Sequence, residues 1–379
     1  MKPNTALLHY AEDPSDWQGA VNPPIYRTSL FCYDSCQQMI DAGEGKITHY
    51  SYTRSGNPTT HVLEEKIALL EHADGAVAFG SGMAAISTCL LAMVRSGDHV
   101  LLTNNAYGPV HRLCNHTLAR FGVTTSYYKP GDAADLDANI PEHTRVIYLE
   151  SPGSMTFEIT DLRAVSAVAR RRGIVTIIDN SWATPLYQNP IDLGIDLVVH
   201  TGSKYLGGHS DLVFGVAAGS RELIEQVHRQ ACELGGIISP EDAYLAIRGL
   251  RTLPVRLAQH QRSAMQIAAW LSEQPLVTDV LYPGLESFPG HALAASQMSG
   301  YSGVFTFKLQ PKSREANMAF VDALLPLFRL GCSWGGFESL VIPAFGLDGS
   351  AYRVSIGLED VEDLQNVLAG ALDAYDAHS

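Results

Sequence analysis

The sequence has little charge for its length, and positive charge is especially scarce. Charged residues make up 17% of the 379 positions, and 26 Lys and Arg against 40 Asp and Glu give a formal net charge of −14. No long run of Lys or Arg is present, which argues against a nucleic-acid or anionic-membrane partner. A hydrophobic fraction of 46% with scattered Gly and Pro excludes a disordered or collagen-like chain. The length predicts two or three globular domains.

Cysteine and long apolar segments are also scarce. Six cysteines are too few for a disulfide framework, and no CxxC or HExxH motif accompanies Cys32 and Cys36, so we expect mostly buried, reduced thiols and no metal site. The first residues contain no apolar stretch of signal-peptide length, which predicts a cytoplasmic protein. The longest uncharged run, 76–94, carries two Gly and three hydroxyl residues, which favours a strand, a turn and a core helix over a membrane span.

The first part of the chain predicts an arm followed by an α/β domain. The first fifty or so residues look irregular, and a helix is expected from Asn57-Pro58-Thr59 to Asp74-Gly75. Short apolar runs then alternate with helical stretches, and runs that are apolar on both faces indicate a mostly parallel sheet covered by helices. These predicted strands are 76–79, 100–103, 146–149, 175–178, 197–199 and 213–217.

After Ser239-Pro240 the pattern changes. A helix is predicted from Pro254 to about Ser272, followed by alternating strands at 303–309 and 352–356 and a closing helix at about 359–375. Strands grouped with helices in this way indicate a smaller α+β domain. The predicted organisation is an arm at 1–56, a large domain at 57–240 and a C-terminal domain at 241–379.

A glycine-rich turn follows the first predicted strand. In Gly80-Ser81-Gly82-Met83 the backbone can turn tightly, and the first N–H groups of the following helix would face an anion such as a phosphate. The spacing also satisfies G-x-G-x-x-A, a dinucleotide-binding pattern, although Asp98 precedes the next strand instead of ending it. A plain structural turn is the third interpretation.

Lys204 is one of only seven lysines and follows the predicted strand 197–199 in a glycine-rich segment. Thr201 and Ser203 precede it by three positions and one. A lysine in partly apolar surroundings favours the neutral amine, which can form a Schiff base with a carbonyl. The alternative is a solvated lysine at a strand end.

Asp179 ends the apolar run 173–178, where an acid commonly caps a loop or meets a cation. It could instead hold the protonated nitrogen of a pyridine ring. A phosphate turn, a carboxylate for a pyridinium and an amine for a carbonyl, in this order on successive strands, match the three functional groups of pyridoxal 5′-phosphate (PLP).

Seven segments in one order resemble the PLP-dependent enzymes of cysteine and methionine metabolism, the trans-sulfuration family, and are most similar to its bacterial cystathionine β-lyases. The resemblance covers nearly the whole chain and implies PLP fold type I, the aspartate-aminotransferase-like fold. The segments are Tyr52-Thr-Arg54-Ser-Gly-Asn57-Pro58-Thr59, Ser81-Gly82-Met83, 150–159, Ile178-Asp179-Asn180, 203–211, 333–340 and 353–360.

The resemblance also implies roles for individual residues. Lys204 would carry the cofactor as a Schiff base and act in catalysis with Tyr107, which stacks on the ring, while Asp179 pairs with the pyridinium nitrogen. The phosphate would be held by the N–H groups of Gly82 and Met83, by the hydroxyls of Thr201 and Ser203, and by Tyr52 and Arg54 of a neighbouring subunit. The substrate α-carboxylate would meet Arg353, and Ser333, Trp334, Ser154 and Cys332 would line the substrate pocket.

Two reaction types share these residues. Many γ-acting relatives carry a Glu at the position of Cys332, whereas Trp334 and Ser154 match the β-lyases. These residues favour β-elimination from cystathionine or cystine, which gives pyruvate, ammonia and a thiol. The stretch Arg54–Thr59 is closer to the γ-acting branch, which leaves a γ-lyase or γ-synthase on a homoserine derivative, methionine, cystathionine or canavanine as the alternative. An NAD-dependent oxidoreductase is the third class. The arm implies a homo-oligomer, at least a dimer and by resemblance a tetramer.

Overall fold

The computed structural model describes residues 2–132, 136–325, 327–344 and 349–378. Its α-helices are α1 (Pro3–His9), α2 (Cys36–Gly43), α3 (Pro58–Glu71), α4 (Gly82–Met93), α5 (Gly108–Arg112), α6 (Leu136–Asn139), α7 (Leu162–Arg172), α8 (Thr184–Tyr187), α9 (Arg221–Leu234), α10 (Pro240–Ser272), α11 (His291–Gln297), α12 (Arg314–Leu324) and α13 (Val361–Asp376). A π-helical stretch, Leu113–Leu118, continues α5, and short 3-10 turns lie at Pro14–Trp17, Thr53–Ser55, Pro130–Asp132 and Pro190–Leu193. No helix of the described residues is both long and apolar enough to cross a membrane.

A seven-stranded sheet forms the centre of the fold. Its strands are β1 (Gly75–Phe79), β2 (His99–Thr103), β3 (Thr124–Tyr128), β4 (Thr144–Glu150), β5 (Val175–Asp179), β6 (Leu197–His200) and β7 (Gly215–Gly219), in the spatial order β1-β7-β6-β5-β4-β2-β3. Only β7 runs antiparallel to its neighbours, so the mostly parallel sheet is confirmed. Because parallel strands share one direction, β1, β2, β4, β5 and β6 all end at the same edge.

Both faces of this sheet are covered. Along β2, Val100 and Leu102 pack into a core cluster with α4 and α9, whereas Leu101 packs into a second cluster with α7. This alternation follows from the two-residue period of a strand and explains why the run is apolar throughout. The last strand of the sheet begins at Gly215, two residues later than predicted, and Val213 is exposed.

A smaller sheet follows. It contains β8 (Val277–Leu281), β9 (Val304–Leu309), β10 (Arg329–Leu330), β11 (Leu340–Pro343) and β12 (Ala351–Ser355), in the order β10-β11-β12-β9-β8. Aromatic packing ties it to α12, since the rings of Phe320 and Tyr352 lie 4.5 Å apart. The α/β class with a second, smaller sheet is therefore confirmed, while the domain boundaries after residues 56 and 240 stay predictions.

Three expectations were wrong. Helix α10 begins at Pro240 and not at Pro254, because Ser239 caps it by accepting a hydrogen bond from the Asp242 N–H at 3.0 Å, and Pro254 lies inside the helix. The first fifty residues contain α1 and α2, and Leu7 of α1 is fully buried. Two of the six free cysteines are buried, so the thiols are not mostly buried.

Candidate active site

One cavity lies at the sheet edge where the parallel strands end. The turns that follow β2, β4, β5 and β6 line it from one side, and the second sheet closes the other side. The cavity brings together eight of the predicted site residues, namely Tyr107, Ser154, Asp179, Thr201, Lys204, Cys332, Trp334 and Arg353. A concave site lined by several convergent polar side chains suits a small cofactor with its substrate.

Lys204 follows β6 in a tight turn. Its Nζ donates a hydrogen bond to Ser333 Oγ at 2.7 Å and lies 5.4 Å from the centroid of the Trp334 ring. Burial, and next the positive charge of Arg353, lower the pKa of Lys204 to about 8. The amine is therefore much more often neutral at physiological pH than an ordinary lysine, as Schiff-base formation requires.

Asp179 is the last residue of β5 and is buried. Its Oδ1 accepts hydrogen bonds from Ser181 N at 2.9 Å and Ser181 Oγ at 2.5 Å, which leaves Oδ2 with no donor among the described residues. Burial raises the pKa of Asp179, whereas the hydrogen bonds from Ser181 and the positive charges of His200 and Lys204 act in the opposite direction. A buried carboxylate with a free oxygen can accept a hydrogen bond from a protonated ring nitrogen.

The N-terminus of α4 lies beside Thr201. Ser81 caps the helix by accepting a hydrogen bond from the Ala84 N–H at 3.1 Å, and helix geometry leaves the N–H groups of Gly82 and Met83 without partners inside the helix. A Cβ atom on Gly82 would lie 2.2 Å from Thr201 Oγ1, so only glycine allows this approach. Two amides, a hydroxyl and the helix dipole together suit a phosphate.

Ser203 is less available than predicted. Its hydroxyl accepts a hydrogen bond from Phe214 N at 3.0 Å and donates one to Phe214 O at 3.2 Å. A hydroxyl has a single proton, so Ser203 would have to release the Phe214 carbonyl in order to donate to a phosphate.

Arg353 lies on β12 and is buried. Its Nη1 donates to the backbone oxygen of Ser154 at 3.4 Å, which directs the guanidinium into the cavity from the second sheet. Burial lowers the pKa of Arg353, but a guanidinium stays protonated under all ordinary conditions. The cavity therefore contains a fixed positive charge able to bind a carboxylate.

Glu150 is a site residue that sequence reasoning missed. It ends β4 as Asp179 ends β5, and the two residues are direct neighbours in the sheet register. Its Oε2 accepts a hydrogen bond from the Tyr107 N–H at 2.6 Å and so fixes the backbone of the half-exposed Tyr107. Burial and then the charge of Asp179 hold the pKa of Glu150 well above its usual range. An acid at the end of an apolar strand is the signal that could have found it.

Tyr52 and Arg54 do not reach this cavity within one chain. They line a separate cleft with Arg27 and Ser239, and the guanidinium of Arg54 donates to the backbone oxygen of Cys232. The side chain of Tyr52 is 48% exposed.

The geometry of the cavity fits PLP. The N-terminus of α4 offers a place for the phosphate, Asp179 Oδ2 an acceptor for the ring nitrogen and Lys204 an amine for the aldehyde. With the sheet topology, these features define a PLP-dependent enzyme of fold type I.

Comparison with known proteins gives the family. Residues 4–373 match the family described as Cys/Met metabolism PLP-dependent enzyme, and the chain belongs to it. A provisionally named cystathionine beta-lyase of Rhizobium johnstonii is 40% identical over 375 residues, covering 96% of this chain and 93% of that protein. L-methionine gamma-lyase of Pseudomonas putida is 36% identical over 387 residues, covering 98% and 97%.

A solved structure is similar over the whole length. Cystathionine gamma synthase from Xanthomonas oryzae pv. oryzae, in complex with aminoacrylate and cysteine, is 36% identical with a TM-score of 0.91, and the match covers 100% of both chains. The cofactor is therefore PLP, and the dinucleotide interpretation of the glycine-rich turn was wrong. The names of the relatives span β-elimination, γ-elimination and γ-replacement, so the family alone does not choose among these reactions.

Proposed function

We propose that the chain is a PLP-dependent carbon–sulfur β-lyase that converts cystathionine or a related amino acid into pyruvate, ammonia and a thiol. The observation that carries the proposal is Cys332, which lines the cavity with Lys204 and Arg353. Many γ-acting relatives have a Glu at this position, where it can recognise a distal amino group. A neutral thiol forms no such ion pair, so the substrate is selected by other contacts.

Substrate binding would use the two sides of the cavity. Arg353 would bind the α-carboxylate through two parallel hydrogen bonds, which suits a rigid guanidinium in a buried position. Tyr107, held by Glu150, would cover the exposed face of the cofactor ring. Trp334, whose ring faces the Lys204 amine, would pack against the substrate side chain.

PLP, when bound, supplies an electron sink that stabilises negative charge at Cα. In our proposal Asp179 would hold a proton on the ring nitrogen, and the amine of Lys204 would remove the Cα proton. The Cβ–S bond then breaks, and its electron pair leaves with the thiolate, which is protonated to the thiol. With cystathionine, one water is consumed and the products are pyruvate, ammonia and homocysteine.

The second candidate is a γ-lyase or γ-synthase. It is supported by the 36% identity to a methionine gamma-lyase and by the stretch Arg54–Thr59, which resembles the γ-acting branch. γ-Elimination needs a further proton removed from Cβ, for which Lys204 would also serve as the base. From cystathionine this reaction would yield 2-oxobutyrate, ammonia and cysteine.

Purified holoenzyme assayed with cystathionine, cystine, methionine and a homoserine ester tests the proposal. Pyruvate from cystathionine is the expected product, and 2-oxobutyrate as the main product would overturn the β-lyase assignment. The Lys204→Ala variant serves as the blank, because it lacks the base. A Schiff-base absorption band at about 420 nm that borohydride removes checks cofactor loading before each assay.

We further propose that the site is completed by a neighbouring copy of the chain. Tyr52 and Arg54 would contact the cofactor phosphate of that copy, since they lie outside the Lys204 cavity of their own chain. Large apolar side chains on the same N-terminal segment are exposed and available for such a contact. They include Val21, Ile25, Leu30, Met39 and Ile40.

A further inference from the structure

Four polar side chains form a hydrogen-bonded network just beyond the end of β5. Glu71 ends α3, Asn180 follows Asp179, Gln188 follows α8 and His200 ends β6, and each is at most 1% exposed. His200 Nε2 lies 2.5 Å from Glu71 Oε1, and Asn180 Nδ2 donates to the same oxygen at 3.1 Å. Gln188 Nε2 donates to Asn180 Oδ1 at 2.9 Å. None of these four residues has a role in the function proposed above.

The network lies directly behind the site residues. Successive residues of an extended strand point to opposite faces, so Asp179 lines the cavity while Asn180 points away, and Thr201 lines it while His200 points away. The Asn180 N–H also donates to Val199 O at 3.0 Å, which holds the ends of β5 and β6 together. The four side chains thus support the backbone from which Asp179 emerges.

A second contact reaches the end of the neighbouring strand β4. Gln188 Nε2 donates to the backbone oxygen of Ser151 at 3.1 Å, next to Glu150 and Pro152. The network therefore bridges the ends of β4, β5 and β6.

Burial restricts the charges in this network. A carboxylate as buried as Glu71 needs a positive partner or a proton of its own, because removing an isolated charge from water is costly. Glu71 Oε1 accepts from Asn180, so the short contact with His200 is most simply a hydrogen bond that Nε2 donates. His200 Nδ1 and Glu71 Oε2 both have no partner among the described residues, so the contact between Nε2 and Oε1 is the interaction that can stabilise opposite charges on this pair.

We propose that Glu71 and His200 are positioning residues that keep Asp179 ionised: the Glu71 carboxylate holds His200 as an imidazolium, whose positive charge favours the carboxylate that binds the ring nitrogen of PLP. The inference rests on the role of Asp179 proposed above. The network would then control the protonation of the PLP ring nitrogen, in addition to any contribution to folding.

The charges around Asp179 show why such support is needed. Burial raises the pKa of Asp179, so its ionised form needs favourable neighbours. His200 and Lys204 are the two cationic groups that act in the opposite direction. When PLP is bound, the Lys204 nitrogen would be bonded to the cofactor and would share its charge with it. The position of His200 behind β5 would not change. Loss of the His200 charge would let the proton move from the ring nitrogen to Asp179.

The test measures the protonation of the ring nitrogen directly. Holoenzyme is reconstituted with PLP labelled with ¹⁵N in the ring, and the nitrogen NMR shift is followed between about pH 6 and pH 9. Wild type is expected to show the protonated nitrogen throughout. His200→Gln and Glu71→Gln should each increase the ratio of neutral to protonated nitrogen about tenfold, the effect of one lost charge in partly screened surroundings.

Two controls separate tuning from folding. Gln188→Leu removes the hydrogen bonds to Asn180 and Ser151 without removing a charge, so it should lower Tm and leave the nitrogen shift unchanged. The double variant Glu71→Gln with His200→Gln leaves no unpaired buried charge, so its Tm should exceed that of His200→Gln while its nitrogen shift stays altered. A wild-type nitrogen shift in both single variants would overturn the inference and leave the pair a purely structural one.

A different result is expected if Asp179 does not bind the ring nitrogen at all. If Asp179→Asn leaves the nitrogen shift unchanged, the proposed function of Asp179 is wrong, whatever the network does. If the single variants do not fold, ¹⁵N-histidine labelling of wild-type holoenzyme decides the question. Protons on both ring nitrogens of His200 support the inference, and a neutral His200 ring refutes it.

Discussion

The Lys204 amine and the Ser333 hydroxyl lie 2.7 Å apart although 129 positions separate them in the chain. The first follows the last parallel strand of the large sheet, and the second precedes β11 of the smaller one. The amine that would carry PLP is thus held where the two sheets meet. Its position depends on the packing of the C-terminal part of the chain against the cofactor-binding part.

The lowered pKa of Lys204 predicts a pH-dependent reactivity. With a pKa of about 8, roughly one amine in ten is neutral at pH 7, against roughly one in 3,000 for a lysine at 10.5. In cofactor-free protein, acetylation of Lys204 by limiting acetic anhydride should therefore increase about tenfold per pH unit below pH 8 and level off above it. Peptide mass spectrometry measures it against Lys46, which is exposed. A rate that still rises steeply at pH 10 would contradict the assignment.

Arg353 is predicted to govern substrate binding more than cofactor binding. Charge-assisted hydrogen bonds to a carboxylate contribute about 1.5–3 kcal/mol each, so Arg353→Ala should raise KM about 10- to 100-fold. Arg353→Lys keeps the charge and loses the paired donors, so its KM should lie between wild type and Ala. Steady-state kinetics measures both, with the visible absorption of bound PLP as the control. Unchanged KM in the Ala variant would exclude Arg353 as the carboxylate ligand.

Gly82→Ala tests the phosphate turn. The added Cβ would lie 2.2 Å from Thr201 Oγ1, and such overpacking costs about 1–3 kcal/mol. Tm should fall, and the Kd for PLP should rise at least about tenfold because Thr201 and the first amides of α4 move apart. Gly370→Ala is the matched control, since a Cβ there meets no atom within 4 Å and α13 should gain about 0.5–1 kcal/mol. Equal PLP affinity in the two variants would show that the turn does not hold the phosphate.

Cys332→Glu should alter substrate choice. A carboxylate in the cavity can pair with a distal ammonium, so kcat/KM for cystathionine relative to S-propylcysteine should rise about three- to tenfold. The same charge favours the ammonium form of Lys204, so the pKa of this amine should increase from about 8. Cys332→Ser changes size and charge little and should keep the wild-type ratio. A ratio that is equal in all three proteins would remove position 332 as the basis of the β-lyase proposal.

Local sequence predicted the site residues that lie at strand ends. It missed the residues whose role depends on contacts between distant parts of the chain. Asp179 was predicted because it ends an apolar run, and Lys204 because it follows such a run in a glycine-rich segment. Glu150 carries the same signal as Asp179 without having been recognised. Glu71 was not predictable, because its partners Asn180 and His200 are 109 and 129 positions away. Strand β10 has two exposed residues and no pattern to detect. The predicted start of α10 was wrong because proline is common in the first turn of a helix, and both Pro240 and Pro254 fit that position.

Complementation between inactive variants tests the shared site. Lys204→Ala removes the amine, and Arg54→Ala removes a guanidinium that would act on the neighbouring copy, so each variant alone should have little activity. When equal amounts are unfolded and refolded together, about half of the dimers are mixed, and each mixed dimer contains one site with both Lys204 and Arg54. About a quarter of wild-type activity should return, because one site in four is then intact. No recovery, with mixed dimers demonstrated by native mass spectrometry, would mean that Arg54 serves its own chain, where its guanidinium contacts the Cys232 carbonyl.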